Sequence, residues 1–477
     1  MSSGDRKLDE PTAALGGISR DDDVSALLAQ AMNLHRQGHL MEAQSLYERI
    51  LRDRPDHPEA LNFFGILQQQ RGQSTQAEQL IRRAIRAAPN YASAHTNLGN
   101  ILIVQKRFED AIAAYRQAIV LRPDEVEACV NLGALLRGLG RLREALEAYR
   151  QASERRPESA EIHHRLGLVL AELGQIEEAI TAQETALRHA PGHEEATKQL
   201  GALLHHVGRI GDARAVLGNA VFQLGGTENA LALLQHWLRL MPDDPVAQHR
   251  LAAWFGQDKP ARASDAYVTD LFDRYADQFD QHLQRLDYRA PELIGARLAD
   301  ALGEGARQLD VLDAGCGTGL CASMLRPYAR RLTGVDLSSR MVEKARERGG
   351  YDELTVAELT AFLNERPGAY DLIVSADTLV YFGALESVLA AATHALRPGG
   401  WLAFTAEQIA VEVAPDDGYC LNRSGRYSHT SEYLERVLAG AGLEARARAD
   451  ATLRQEGNQP VMGHVVLARK PPTGIVD

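Results

Sequence analysis

The 477-residue sequence is short of cysteine, with only Cys129, Cys316, Cys321 and Cys420 scattered along it. Four are too few for a disulfide framework and too dispersed for a zinc ribbon, so no metal site is expected. Long apolar runs are missing as well; none approaches the roughly 18 residues of a membrane span. The opening MSSGDRKLDEPTAALGGISRDDD has no continuous hydrophobic segment, so 1–23 is expected to be disordered rather than a secretory signal. Excess basic charge is the third shortage. Lys and Arg number 52 against 64 Asp and Glu, a net charge of −12, which leaves no bulk positive field for a phosphate backbone. Together these shortages point to a reduced, cytoplasmic chain without nucleic-acid or membrane partners. What remains is the balance of an ordinary folded protein, 45% hydrophobic and 24% charged. The length allows about three domain-sized units.

The first half is periodic. Pro55, Pro89, Pro123, Pro157 and Pro191 fall 34 residues apart, as do Gly65, Gly99, Gly133, Gly167 and Gly201. Ala43, Ala77, Ala111, Ala145, Ala179 and Ala213 keep the same step. Each unit reads as two amphipathic helices joined by a tight turn, with small residues where helices pack closely and proline where the chain leaves the second helix. The pattern of Leu-Gly, then Ala with an aromatic four residues on (Ala43/Tyr47, Ala111/Tyr115, Ala145/Tyr149), then Pro resembles the tetratricopeptide repeat family. The resemblance implies an all-α solenoid over 24–242 with a concave face for a protein or peptide partner. Its last helices, where 217–230 echoes 200–213, would form a cap. Asn97 and Asn131, one period apart, are candidates for holding a peptide backbone; helix-to-helix hydrogen bonding is the plainer reading. The paired histidines His163-His164 and His205-His206 read as solvated faces.

Residues 243–266, with Asp243-Asp244-Pro245, a short helix and the polar stretch GQDKPARASD, read as a linker. Beyond it, apolar strands alternate with helical stretches, the mark of a parallel sheet with crossover helices. The strand LDVLD (309–313) runs into Gly315, Gly317 and Gly319, and LTGVD (332–336) ends in Asp336. Glycine at a strand-to-helix turn lets backbone approach a ligand, and a carboxylate closing the next strand can accept both ribose hydroxyl protons. Dinucleotide dehydrogenases favour G-x-G-x-x-G instead. The acid-x-G-x-G-x-G of Asp313 to Gly319, with VDLS (335–338), YDLIVSAD (370–377) and LRPGGWLAF (396–404), resembles class I S-adenosylmethionine-dependent methyltransferases.

That resemblance covers about 265–470 and implies a Rossmann-like α/β domain over 267–477, with a mostly parallel seven-stranded sheet and an antiparallel closing strand. It implies S-adenosylmethionine as cofactor, held by Gly315, Gly317 and Gly319 at its methionine end. Asp313 would orient the loop or the cofactor's amino group. Asp336 would hold the ribose, Glu358 the adenine amino group, and Asp377 and Thr378 the methionine portion. Tyr275, Phe279 and Asp280 would belong to a closing helix; a plain core stripe of Phe272, Tyr275 and Phe279 is the alternative. The layout as a whole resembles bacterial methyltransferases that carry tetratricopeptide repeats.

Methyl transfer rests on alignment and desolvation, with a base needed only for a protonated, high-pKa nucleophile. Tyr381 and His429 are the catalytic candidates, and Arg423, Arg426 and Tyr427 the substrate-binding ones. Against this, His429 and Thr430 could simply open a helix, with Thr430 as its cap. Cys316, inside the glycine loop, needs only to be small. The rival to an enzyme is an interaction scaffold whose second half binds cofactor without catalysis.

Overall fold

The computed structural model describes residues 20–472, apart from 257–258, 304, 306, 410–414 and 458. Of the segment expected to be disordered, 1–19 lies outside the described residues, and Arg20 already begins a helix. The chain forms two compact units that divide between Val216 and Leu217. No described helix is long and apolar enough to cross a membrane.

The first unit is a run of antiparallel helix pairs, from Arg20–Arg36 with Leu40–Asp53 through Ala160–Glu172 with Ile176–His189. Proline sets where each pair ends. It disfavours the helical region for the residue before it, and Arg54, Ala88, Arg122, Arg156 and Ala190 all leave their helices at φ between −131° and −140°. The periodic alanines are fully buried. The glycine and aromatic registers belong together for a steric reason. A Cβ on Gly99 would stand 2.5 Å from the Tyr115 ring, and one on Gly133 2.9 Å from Tyr149. Each tyrosine lies flat over the glycine of the helix before it.

The turn between paired helices takes a left-handed residue. Gly38, Gly72, Gly140, Gly174 and Gly208 supply it at φ +72° to +82°, but at the equivalent place the third pair has Lys106 at φ +61°. Asn97 Nδ2 donates to Asn62 Oδ1 (3.0 Å), and Asn131 Nδ2 to Asn100 Oδ1 (3.2 Å), so these amides bond from helix to helix.

The second unit is built on one sheet. Its strands are β1 (Leu309–Ala314), β2 (Ala329–Asp336), β3 (Glu353–Val356), β4 (Tyr370–Ser375), β5 (Leu396–Gln408), β6 (Tyr419–Leu421), β7 (Tyr427–His429), β8 (Glu444–Glu456) and β9 (Gln459–Arg469). Five run parallel in the order β3-β2-β1-β4-β5; β9 pairs antiparallel with β5, and β8 antiparallel with β9. That path is the expected seven strands. The β6–β7 hairpin is an addition, tied to the end of β5 through Glu407 and Gln408. Both sheet faces are covered, one by Ile294 and Leu298, the other by Phe362, Leu389 and Leu434. This double cover explains the unbroken burial of 311–314 in β1 and 372–375 in β4.

The linker expectation needs correcting. Residues 243–266 contain helix Pro245–Phe255, whose inner face is buried at Val246, Ala247 and His249, inside the second unit. Helix Glu228–Leu240, expected to cap the repeats, also falls within that unit.

Two substitutions test the repeat geometry by denaturation. Gly99→Val drives a branched side chain into Tyr115 and should cost about 1–3 kcal/mol. Lys106→Gly relieves a left-handed lysine and should stabilise by roughly 0.5–1 kcal/mol, though it removes a charge and adds a glycine.

Candidate functional site

The glycine loop follows β1 at the carboxyl edge of the sheet, where open α/β sheets bind ligands. Its three glycines have positive φ (+81°, +51° and +86°) for three different surroundings. A Cβ on Gly315 would collide with the Thr378 side chain, and one on Gly319 would press on Ala345 at 3.3 Å. At Gly317 the nearest atom is a Phe279 ring carbon 4.0 Å away, so this position alone opens onto free space. That space is a cavity of about 280 Å³, lined by Gly315, Cys316, Gly317 and Thr318, by Asp336 and Glu358, and by Asp377 and Thr378.

Asp336 joins the two loops at the cavity's edge. Its Oδ2 accepts from the Gly317 N–H and its Oδ1 from the Ser338 N–H, each at 2.9 Å. Burial raises its pKa, and these backbone donors oppose the rise. Each oxygen keeps a further lone pair. Glu358 also lines the cavity while capping helix Leu359–Asn364, its Oε2 accepting from Ala361 N–H at 2.8 Å. Its Oε1 is buried without a hydrogen-bond partner among the described residues and lies 3.8 Å from Arg262 Nη1. Asp377 stands at φ +57°, with its N–H on Thr405 Oγ1 (2.9 Å) and its Oδ2 on Arg454 Nη1 (2.7 Å). Its Oδ1, too, is buried with no such partner, and burial raises its pKa.

Asp313 and Gly319 do not line the cavity. Asp313 lies behind the loop, accepting from the Tyr351 hydroxyl at 2.6 Å, and burial pushes its pKa up to about 7. Tyr351 in turn stands where a Cβ of Gly319 would meet it, at 3.2 Å. The aspartate therefore supports the loop through a tyrosine, while its Oδ1 is buried without a hydrogen-bond partner among the described residues. Burial raises the Cys316 thiol well above its usual range, which disfavours a thiolate.

Helices Asp265–Tyr275 and Phe279–Arg285 roof the cavity with Val268, Leu271, Phe272, Tyr275, Phe279 and Leu283. The aromatic stripe thus faces the cavity, and Tyr275 is still 53% exposed. Polar latches hold the roof to both loops. Ser338 Oγ donates to Asp273 and Thr318 Oγ1 to Asp280, each at 2.5 Å, while Arg340 pairs with Asp277 at 2.6 Å and Arg348 with Asp280. Tyr381 lines the cavity with its ring edge-on to Phe272 at 5.4 Å, and burial raises its pKa.

Three of the expected catalytic and substrate-binding residues are elsewhere. His429 is fully buried; its Nε2–H donates to the Gly383 carbonyl (3.0 Å) and its ring stacks on Tyr433. It pairs within β7, away from the cavity lining, because the hairpin strand turns it into the core, and Thr430 next to it caps helix Ser431–Gly440. Tyr427 is likewise buried, its hydroxyl donating to the Pro260 carbonyl at 2.8 Å. Arg423 is exposed and does not line the cavity. Only Arg426 of that segment reaches the cavity, and it is not free to grip an acid. Its Nε donates to Glu407 and its Nη2 to Glu456, each at 2.6 Å. Arg454, almost wholly buried, shares both carboxylates and also bonds Asp377. Sequence reasoning missed Arg454, Glu407 and Glu456. Their one signal is charge inside strands β5 and β8, and that does not say which face the side chains take.

His429 offers a pH test of its core placement. Burial lowers its pKa from 6.5 to about 4. The unfolded chain therefore binds the extra proton between those values, and the stability at stake is present above about pH 6.5 and lost as pH falls towards 4. The difference in unfolding free energy between wild type and His429→Gln should shift by roughly 3 kcal/mol across that window, with wild type losing on the acid side.

Comparisons with known proteins follow this division. A methyltransferase domain model matches residues 312–404. A tetratricopeptide repeat model matches 28–68, 64–126 and 130–194. Human methyltransferase-like protein 27 is 37% identical over 141 residues, covering 28% of this chain and 56% of that protein. The malonyl-[acyl-carrier protein] O-methyltransferase of Salmonella typhimurium is 30% identical over 145 residues, covering 30% and 55%. The chain thus spans little more than half the length of either relative. The solved structure of YrrB, a TPR protein with an unusual peptide-binding site, aligns at 20% identity and a TM-score of 0.32, over 43% of this chain and 96% of its own. The chain carries tetratricopeptide repeats in its N-terminal part and a methyltransferase domain in its C-terminal part.

Proposed function

We propose that the second unit binds S-adenosylmethionine in the roofed cavity and transfers its methyl group to an acceptor, while the repeats bind a protein or peptide. The observation that carries the reading is the polar layout of the cavity wall. Two buried carboxylate oxygens, Glu358 Oε1 and Asp377 Oδ1, have no hydrogen-bond partner among the described residues, and Gly317 leaves open space where any other side chain would intrude. A buried acceptor without a donor is costly. An adenine amino group on Glu358 and an ammonium group on Asp377 would satisfy both, and ribose hydroxyls would take the spare lone pairs of Asp336.

The bound cofactor supplies an electrophilic methyl group on a sulfonium. The chain's own residues supply alignment and dryness. Phe272, Phe279 and Leu283 close over the cavity and exclude water, and the latches from Thr318 and Ser338 hold them there. Tyr381, with its pKa raised by burial, keeps its proton at neutral pH and can donate a hydrogen bond to an acceptor. Arg426 and Arg454 share three carboxylates, so the wall carries an excess negative charge when all are ionised. That favours an acceptor presenting a hydrogen-bond donor over a free carboxylate. Asn97 and Asn131 each spend one side-chain N–H on a neighbouring helix, and the second N–H of each can still serve a partner.

Calorimetry with S-adenosylmethionine tests the reading. Wild type should bind, and Asp336→Ala should weaken binding by roughly 10–100-fold, the effect of losing charge-assisted hydrogen bonds. No binding by the wild type would sink the proposal. Labelled cofactor incubated with cell extract then reports whether the acceptor is macromolecular or small. If the repeats hold that acceptor, a chain starting at Leu217 should still bind cofactor but label it far less.

A further inference from the structure

Helix Pro245–Phe255 carries a buried histidine that the methyl-transfer reading does not use. Asp244 caps the helix, its Oδ1 accepting from Val246 and Ala247 N–H at 3.0 and 3.1 Å. One turn in, His249 is 4% exposed. Its Nε2–H donates to the Gly425 carbonyl at 2.9 Å, from 176 residues away along the chain. Its ring stacks on Tyr267 with centroids 3.9 Å apart. Further along the same helix, the Trp254 indole N–H donates to the Arg423 carbonyl at 2.7 Å. The helix therefore holds the 422–426 turn by two hydrogen bonds. The fit is tight: Gly425 has φ +84°, and a Cβ there would lie 2.6 Å from the Tyr267 hydroxyl and 3.6 Å from the His249 ring.

The residue after that glycine is Arg426, which runs into the cavity wall to meet Glu407 and Glu456. Tyr267 sits in the roof helix, beside Val268 and four residues before Leu271, both of which face the cavity. One imidazole thus touches the turn that carries the arginine wall and the helix that carries the roof. A leucine would fill the same space. Only a donor directed at a carbonyl fixes the turn in one place.

We propose that His249 is a positioning residue of the methyl-transfer site. By tying the 422–426 turn to the Tyr267 helix, it sets Arg426 and the roof in register, which makes Pro245–Phe255 a strut of the cavity. The inference rests on the donor reading above, and the experiment separates the two.

Full-length wild type, His249→Ala, His249→Phe and His249→Gln are compared by calorimetry with S-adenosylhomocysteine and by amide hydrogen exchange. His249→Ala should weaken binding about tenfold, as for one lost buried hydrogen bond, and speed exchange at 422–427 and 265–275. His249→Phe keeps the stacked ring and guards against a misfolded alanine variant; it should show the same loss. His249→Gln, whose side-chain amide can reach the same carbonyl, should recover most of both. Wild-type affinity and exchange in the folded phenylalanine variant overturn the proposal, as does a glutamine variant no better than phenylalanine. A wild type that binds no S-adenosylhomocysteine overturns the donor reading. Exchange that still quickens at 422–427 in the phenylalanine variant, and recovers with glutamine, then upholds the positioning role on its own.

Discussion

One partly buried carboxylate holds the candidate site together. Asp336 closes β2 and accepts backbone N–H groups from Gly317 and from Ser338. Burying a charge is expensive unless donors compensate it, and here the donors come from the two loops that must stay in register. The rest of the cavity hangs on those loops. Thr318 and Ser338 latch the roof, and the Gly315 turn rests against Thr378 at the end of β4. A shift of Asp336 would therefore move the floor and the cover together.

The arginine wall shows the same logic at the other side of the cavity. Arg454 lies beneath strand ends that are far apart in the chain, bonding Asp377, Glu407 and Glu456. A network of this kind orients groups more than it stabilises the fold, since desolvation takes back much of the attraction. Its consequence is chemical. Arg426, which looks free in the sequence, is already engaged by Glu407 and Glu456.

The repeats were readable because their period is a packing rule written in residue types. A small residue under an aromatic ring, and proline at each exit, leave few alternatives for helices 34 residues apart. The glycine loop and Asp336 were readable for a similar reason: φ above zero and a strand-end carboxylate are local demands. The functional reading of 418–430 went astray because hairpin side chains alternate faces. A histidine on the inward side becomes core and an arginine on the other side becomes wall. Neither the spacing nor the residue types in that segment reveal which side is which. Asp313 supports the loop from behind through Tyr351, a partner 38 residues away that the motif does not name.

By itself, the sequence determined the solenoid and the strand-loop-strand that makes the cavity floor, because each depends on neighbours within a few tens of residues. Only the tertiary structure decided that 243–266 is part of the second unit, that Arg454 completes the wall, and that His249 meets Gly425. Those contacts join segments up to 176 residues apart. Their energy comes from burial and hydrogen bonding between surfaces that exist only once both segments have folded, so no local pattern announces them.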